Sequence, residues 1–95
     1  MAIDLEKLYK DLTGLELSNV GSEPHDVTMS EVSGFKIPQG STITHHPKGN
    51  PYDLFIEYHG SSIGINADGS SNIDVPSISG DVSGKVQAAL NKYRL

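Results

Sequence analysis

Four short segments between Ser41 and Val75 alternate apolar and polar residues, and brief turn-forming sequences separate them. The segments are STITHH, YDLFIEYH, SSIGINA and NIDV. A period of two residues is typical of strands that bury one face, and short separators favour antiparallel hairpins. We therefore predict that this part of the chain forms an antiparallel meander of about four strands.

The separators also predict the register of the meander. Turns at 47–50, at 60–61 and at 68–70 all bring one apolar set to the same face. The predicted pairs are Ile43 with Leu54, Ile56 with Ile65, and Ile65 with Ile73. The predicted inner set is Ile43, Tyr52, Leu54, Ile56, Tyr58, Ile63, Ile65, Ile73 and Val75.

Amphipathic segments at both ends of the chain are predicted to cover this apolar face. Residues 2–12 and 81–93 carry apolar side chains at helical spacing, and Ser79 or Asp81 could cap the second helix. Between the first helix and the meander, GSEPHD reads as a loop. Short alternations at Val27-Met29 and Phe35-Ile37 leave open whether they add strands to the sheet. The predicted fold class is α+β, a two-layer sandwich with both helices on one face of the meander.

Composition limits the function classes. Ninety-five residues are enough for one core, so residues 1–95 are predicted to form a single domain. The net charge of −5 disfavours binding to nucleic acid or to an anionic membrane. The absence of cysteine excludes disulfides and thiolate chemistry. The N-terminal sequence has no long apolar run, so we expect neither a signal peptide nor a membrane span, and we expect a cytoplasmic protein.

The other face of the predicted sheet is polar around one large apolar residue, Phe55. An aromatic side chain ringed by hydrogen-bonding groups is typical of the energetic centre of a protein interface. The predicted partner-binding residues are therefore Phe55, Glu57, Asp53, His46 and His59.

Histidine and carboxylate side chains also share this face, and together they could bind zinc or perform acid–base catalysis. However, His46 and His59 lie beside different turns, at opposite ends of adjacent strands, which is too far apart for one metal ion. We therefore expect no catalytic residue, no metal site and no cofactor. Asn66–Asp74 spaces oxygen-bearing side chains at alternate positions but departs from the EF-hand template, so weak calcium binding is left open.

These features favour a small, acidic, non-enzymatic module that occludes a partner protein, as an inhibitor, an immunity-type protein or a chaperone-like protein would. The partner could have a basic surface. One alternative is a structural or self-assembling component of a phage or secretion apparatus, with the sheet face or an edge strand joining copies of the chain. A less favoured alternative is a hydrolase or nuclease toxin that uses His45, His46 or His59.

Overall fold

A computed structural model describes residues 1–74 and 82–95 of the chain. Within these ranges the helices are α1 (Leu5–Thr13) and α2 (Val82–Asn91), with one turn of 3-10 helix at Leu17–Asn19. The strands are β1 (His25–Asp26), β2 (Glu31–Val32), β3 (Phe35–Lys36), β4 (Thr42–His45), β5 (Leu54–Tyr58), β6 (Ser61–Ile65) and β7 (Ser71–Asp74). Strands β1, β4, β5, β6 and β7 form an antiparallel sheet in that order, while β2 and β3 form a separate hairpin.

Both helices pack on one face of the sheet, so the predicted α+β sandwich is confirmed. Asp4 caps the start of α1, where its carboxylate accepts a hydrogen bond from the Lys7 N–H at 3.1 Å. Gly14 ends the helix in the left-handed conformation, with φ of 77°. The core joins side chains of the sheet, both helices and the β2–β3 hairpin, including Leu8, Leu12, Val32, Ile43, Leu54, Ile56, Ile63, Ile65, Val86 and Leu90.

Each hairpin of the meander is shifted by two residues from the predicted register. Ile43 pairs with Ile56 rather than with Leu54, because the β4–β5 connection is longer than four residues. The β5–β6 turn consists of His59 and Gly60, which both have positive φ, instead of Gly60 and Ser61. The predicted pairs of Ile56 with Ile65 and of Ile65 with Ile73 are replaced by Ile56 with Ile63 and Ile63 with Ile73. A shift of two keeps every strand residue on its predicted face.

The segment between α1 and the meander differs more from the prediction. His25 and Asp26, expected in a loop, form β1 and pair with β4. The Val27–Met29 segment is not a strand, since the N–H groups of Thr28 and Met29 donate to the Leu12 carbonyl at 2.8 and 3.3 Å. Phe35–Lys36 is a strand, but it pairs only with β2 and does not join the main sheet. The predictions for Val75, Ser79 and Asp81 lie outside the described residues.

The two ends of the chain lie side by side. Ile3 and Arg94 form an antiparallel bridge, and the Asp4 N–H donates to the Tyr93 carbonyl at 2.7 Å. The Tyr93 hydroxyl donates to Oδ2 of Asp11 in α1 at 2.7 Å. Burial of Tyr93, reinforced by this hydrogen bond to a carboxylate, raises the pKa of its hydroxyl above the ordinary value.

Candidate functional site

The face of the sheet turned away from the helices is called here the outer face. Directly paired residues on neighbouring strands point to the same side, so the register arranges the outer face as parallel rows. The acidic row contains Asp26, Thr42, Glu57, Ser62 and Asp74. The aromatic row contains Thr44, Phe55, Gly64 and Asn72. Beyond it, at the strand ends, lies a third group, formed by His46, Asp53, Asn66 and Ser70.

The acidic row places a carboxylate on every second strand. Asp26 lies on β1, Glu57 on β5 and Asp74 on β7, and all three are exposed. Adjacent strands are about 4.8 Å apart, so successive carboxylates are separated by roughly 10 Å. Between them stand the hydroxyl groups of Thr42 and Ser62, which can donate or accept hydrogen bonds. The row thus presents negative charge at regular intervals across the whole sheet.

An aromatic pair lies beside the acidic row. The rings of Tyr52 and Phe55 have centroids 6.0 Å apart and an interplanar angle of 4°. A Cβ atom on Gly64 would overlap the Tyr52 ring, and Gly64 stands opposite Phe55 on β6. Tyr52 therefore lies on the outer face, and its predicted place in the inner set is wrong. The physical reason is that β5 begins only at Leu54, so strand alternation does not extend back to Tyr52.

The third group is held by hydrogen bonds within the protein. The Asp53 carboxylate accepts from the Ala67 N–H at 2.8 Å, and the Asp53 N–H donates to Oδ1 of Asn66 at 3.3 Å. Nδ1 of His46 lies 3.0 Å from the Tyr52 carbonyl. Asp53 and His46, both predicted to bind a partner, thus border the aromatic pair and also fix the loops around it.

The possible calcium segment is a closed turn. Oδ1 of Asp68 accepts hydrogen bonds from the Ser70 N–H at 2.9 Å and from the Ser70 hydroxyl at 2.6 Å. These hydrogen bonds lower the pKa of the Asp68 carboxyl. The Asn66 side-chain amide in turn donates to the Ser70 hydroxyl at 3.0 Å. The oxygen-rich spacing from Asn66 to Ser70 is therefore explained by the turn itself. No three His, Asp or Glu side chains in residues 1–74 and 82–95 are grouped so that they could hold a metal ion.

The histidines occupy different places. His59 is a turn residue with φ of 43° rather than a strand residue of the outer face, and its ring makes an edge contact with Tyr58, with centroids 4.4 Å apart. His45 is the last residue of β4, and its side chain points to the side of the sheet opposite to that of His46. Nδ1 of His45 is buried and has no hydrogen-bond partner among the described residues. Of the predicted partner-binding residues, the structure brings Phe55, Glu57, Asp53 and His46 together on the outer face, and it leaves His59 at one end of the sheet.

Most of the positive charge lies away from the outer face, and only Lys48 lies in the β4–β5 connection between His46 and Asp53. The five strands of the main sheet contain neither lysine nor arginine. All seven cationic residues lie in the helices, β3, the β4–β5 connection or the C-terminus, namely Lys7, Lys10, Lys36, Lys48, Lys85, Lys92 and Arg94. Negative charge is therefore more concentrated on the outer face than the net charge of the chain would indicate, with carboxylates at Asp26, Asp53, Glu57 and Asp74.

The described part of the molecule also has concave regions beside or away from the outer face. An open cleft of about 570 Å³ separates residues 26–30 from residues 37–41. A smaller apolar groove of about 250 Å³ is lined by Phe35, Tyr58 and Val82, among others. Neither brings histidine or several carboxylates together, so the outer face remains the better candidate site.

Sequence reasoning missed three contributors to the outer face. Asp26 lies in a segment predicted as a loop, because a two-residue strand shows no alternation. Alternation with Ile73 predicts Asp74 on the outer face, but Asp74 is not among the predicted partner-binding residues. No sequence signal indicates the position of Tyr52, because Gly64 stands opposite Phe55 only in the observed register. Residues 1–74 and 82–95 include no helix long and apolar enough to cross a lipid bilayer.

Comparison of the chain with protein-family models, with curated proteins and with solved structures gave no match.

Proposed function

We propose that this protein is a small non-enzymatic binding module that occludes a partner protein with its outer face, as inhibitors, immunity proteins and some chaperones do. The observation that carries the proposal is the aromatic pair of Tyr52 and Phe55, which lies on an acidic sheet face that neither helix covers. Aromatic side chains bordered by polar groups commonly supply most of the binding energy in protein interfaces. The pair would anchor the partner, and Glu57, Asp53 and His46 would surround the anchor.

Self-assembly is the second candidate. In a symmetric pair of copies joined through the outer face, the two acidic rows would lie close together. Repulsion between Asp26, Glu57 and Asp74 of each copy would oppose that arrangement. A hydrolase or nuclease function through His45, His46 or His59 ranks third, since the imidazoles of His46 and His59 lie at different ends of the sheet.

The same acidity supports a protein partner over nucleic acid or an anionic membrane, because phosphate groups require a basic surface. A cytoplasmic location belongs to this proposal as well. The fold is stabilised without cysteine, so a reducing compartment would not weaken it.

The test is affinity capture from a lysate of the source cells with immobilised wild-type protein, with Phe55→Ala and with Leu15→Ala. Leu15 is 40% exposed and follows α1, away from the outer face, so its truncation removes apolar surface at an unrelated site. We expect a captured protein that Leu15→Ala retains and Phe55→Ala loses. With the purified partner, Phe55→Ala should weaken binding by more than about 1 kcal/mol.

Thermal unfolding of each variant must accompany the capture. Phe55 is half-buried and stacks on Tyr52, so its truncation should lower the melting temperature by roughly 4–8 °C, the shift that about 1 kcal/mol produces in a domain of this size, and leave the protein folded. If Phe55→Ala is folded and captures the same partner with unchanged affinity, the outer face does not bind it and the proposal is wrong.

A further inference from the structure

We propose that the outer face receives a cationic segment of the partner whose arginine side chains stack on the Tyr52–Phe55 pair and form ion pairs with the acidic row. This inference rests on the proposed function and adds the chemistry of the occupant. It follows from the arrangement of charge and aromatic surface, and each part of that arrangement points to the same kind of side chain.

Charge complementarity gives the first argument. Four carboxylates, those of Asp26, Asp53, Glu57 and Asp74, border the outer face, and no strand of the main sheet carries a cation to neutralise them. Each carboxylate of the acidic row is exposed, and no salt bridge to it occurs among the described residues. A partner that approaches this surface with positive charge is attracted over a distance close to the Debye length. An apolar or acidic partner would leave these charges uncompensated.

The aromatic pair favours arginine over lysine. Phe55 and Glu57 are two residues apart on β5 and point to the same side, so about 7 Å of strand separates them. A planar guanidinium group can lie on the ring of Phe55 and still reach the Glu57 carboxylate with paired N–H donors. The lysine ammonium group is more strongly hydrated and cannot form a stacked, bidentate contact. The neighbouring ring of Tyr52 extends the surface on which a second guanidinium group could stack.

The spacing of the acidic row gives a third argument. Its carboxylates are roughly 10 Å apart, and residues three apart in a polyproline II segment lie on one side at about 9 Å. A basic segment that crosses the strands could therefore pair successive cations with Asp26, Glu57 and Asp74. The partner segment is expected to carry several arginine residues rather than one.

The test is isothermal titration of the full chain with two defined probes, nona-arginine and nona-lysine, at about 150 mM salt. The probes carry equal charge, so a difference between them reports guanidinium recognition. We expect nona-arginine to bind at least about fivefold more tightly. Glu57→Gln should weaken nona-arginine binding, whereas Glu31→Gln, which removes an equal charge from the separate β2–β3 hairpin, should leave it within about twofold.

Two substitutions of Phe55 test the stacking contact. Phe55→Ala removes the ring, and Phe55→Leu keeps apolar volume without aromatic character. Because both remove the aromatic ring, the stacking contact can be tested with whichever variant folds. Either should reduce the preference for nona-arginine to near equality. The inference is overturned if wild-type protein binds both peptides equally, or if Glu31→Gln weakens binding as much as Glu57→Gln. Loss of the captured partner in Phe55→Ala without any arginine preference would overturn this inference and leave the proposed function intact.

Discussion

The ring of Tyr52, a residue of the β4–β5 connection, lies over the backbone of Gly64 in β6 on the outer face. Gly64 is buried although its strand position faces away from the core, because the ring covers it. The φ angle of Gly64 is not positive, so the backbone there does not require glycine. The absence of a side chain at Gly64 is what allows the aromatic ring to lie beside Phe55.

Gly64→Ala should therefore lower the free energy of unfolding when the Tyr52 ring is present, and not when it is absent. In wild-type protein the new methyl group displaces the ring, and we expect a loss of about 1 kcal/mol in the free energy of unfolding. In a Tyr52→Ala background the same substitution should be neutral or stabilising, because alanine favours a strand more than glycine does. Urea denaturation of the four proteins in this double-mutant cycle gives the coupling energy, and a coupling near zero would contradict the observed contact.

Truncation of Asp53 should destabilise the fold, whereas truncation of Glu57 should not. Asp53→Ala removes the acceptor for the Ala67 N–H and should lower the free energy of unfolding by about 1 kcal/mol. Glu57→Ala removes an exposed carboxylate with no hydrogen bond in the described structure, so stability should change by less than about 0.5 kcal/mol. Denaturation midpoints compare the two variants directly. Equal destabilisation by both changes would show that Glu57 has a structural partner.

Tyr93 should stabilise the contact between the C-terminus and α1. Tyr93→Phe keeps the buried ring but removes the hydrogen bond to Asp11, and a cost of about 1–2 kcal/mol is expected. Asp11→Asn keeps an acceptor for the hydroxyl and should cost less. A larger loss for Asp11→Asn than for Tyr93→Phe would argue that Asp11 stabilises the fold in some other way.

The same contact predicts loss of stability at high pH. The pKa of Tyr93 is raised in the folded protein, chiefly by burial and then by Asp11, and burial also raises the pKa of Tyr9. A raised tyrosine pKa contributes stability fully below the unfolded value of about 10 and loses it as the pH climbs toward the folded value. Urea midpoints at about pH 8 and about pH 11 should therefore fall more in wild-type protein than in Tyr93→Phe. An equal fall in both proteins would contradict the prediction.

Alternation could predict the faces of the meander but not its pairing. The predicted turns are wrong, yet each error shifts the pairing by two residues, so Ile43 and Ile63 still face the core. A period of two repeats after every second residue and cannot distinguish these registers. Backbone geometry at His59 and Gly60 decides one of them, since both residues adopt positive φ in the turn.

Features outside regular strands could not be predicted in this way. Strand β1 has two residues, and it is recognised by its pairing with β4 rather than by any pattern of its own. The acidic row therefore gains Asp26 only in the folded chain. Tyr52 lies before β5, where alternation gives no direction for a side chain. Phe55 and Glu57, both within β5, could be assigned to the outer face from the sequence alone.

The most direct measurement compares two variants that lose three negative charges each, one on the outer face and one elsewhere. The outer-face variant combines Asp26→Asn, Glu57→Gln and Asp74→Asn. The control variant combines Glu6→Gln, Glu16→Gln and Glu31→Gln, which lie in or near α1 and in β2. For the partner captured by wild-type protein, we expect at least about tenfold weaker binding by the outer-face variant and a change within about twofold for the control. Equal weakening by both variants, or unchanged binding by the outer-face variant, would contradict recognition through the outer face.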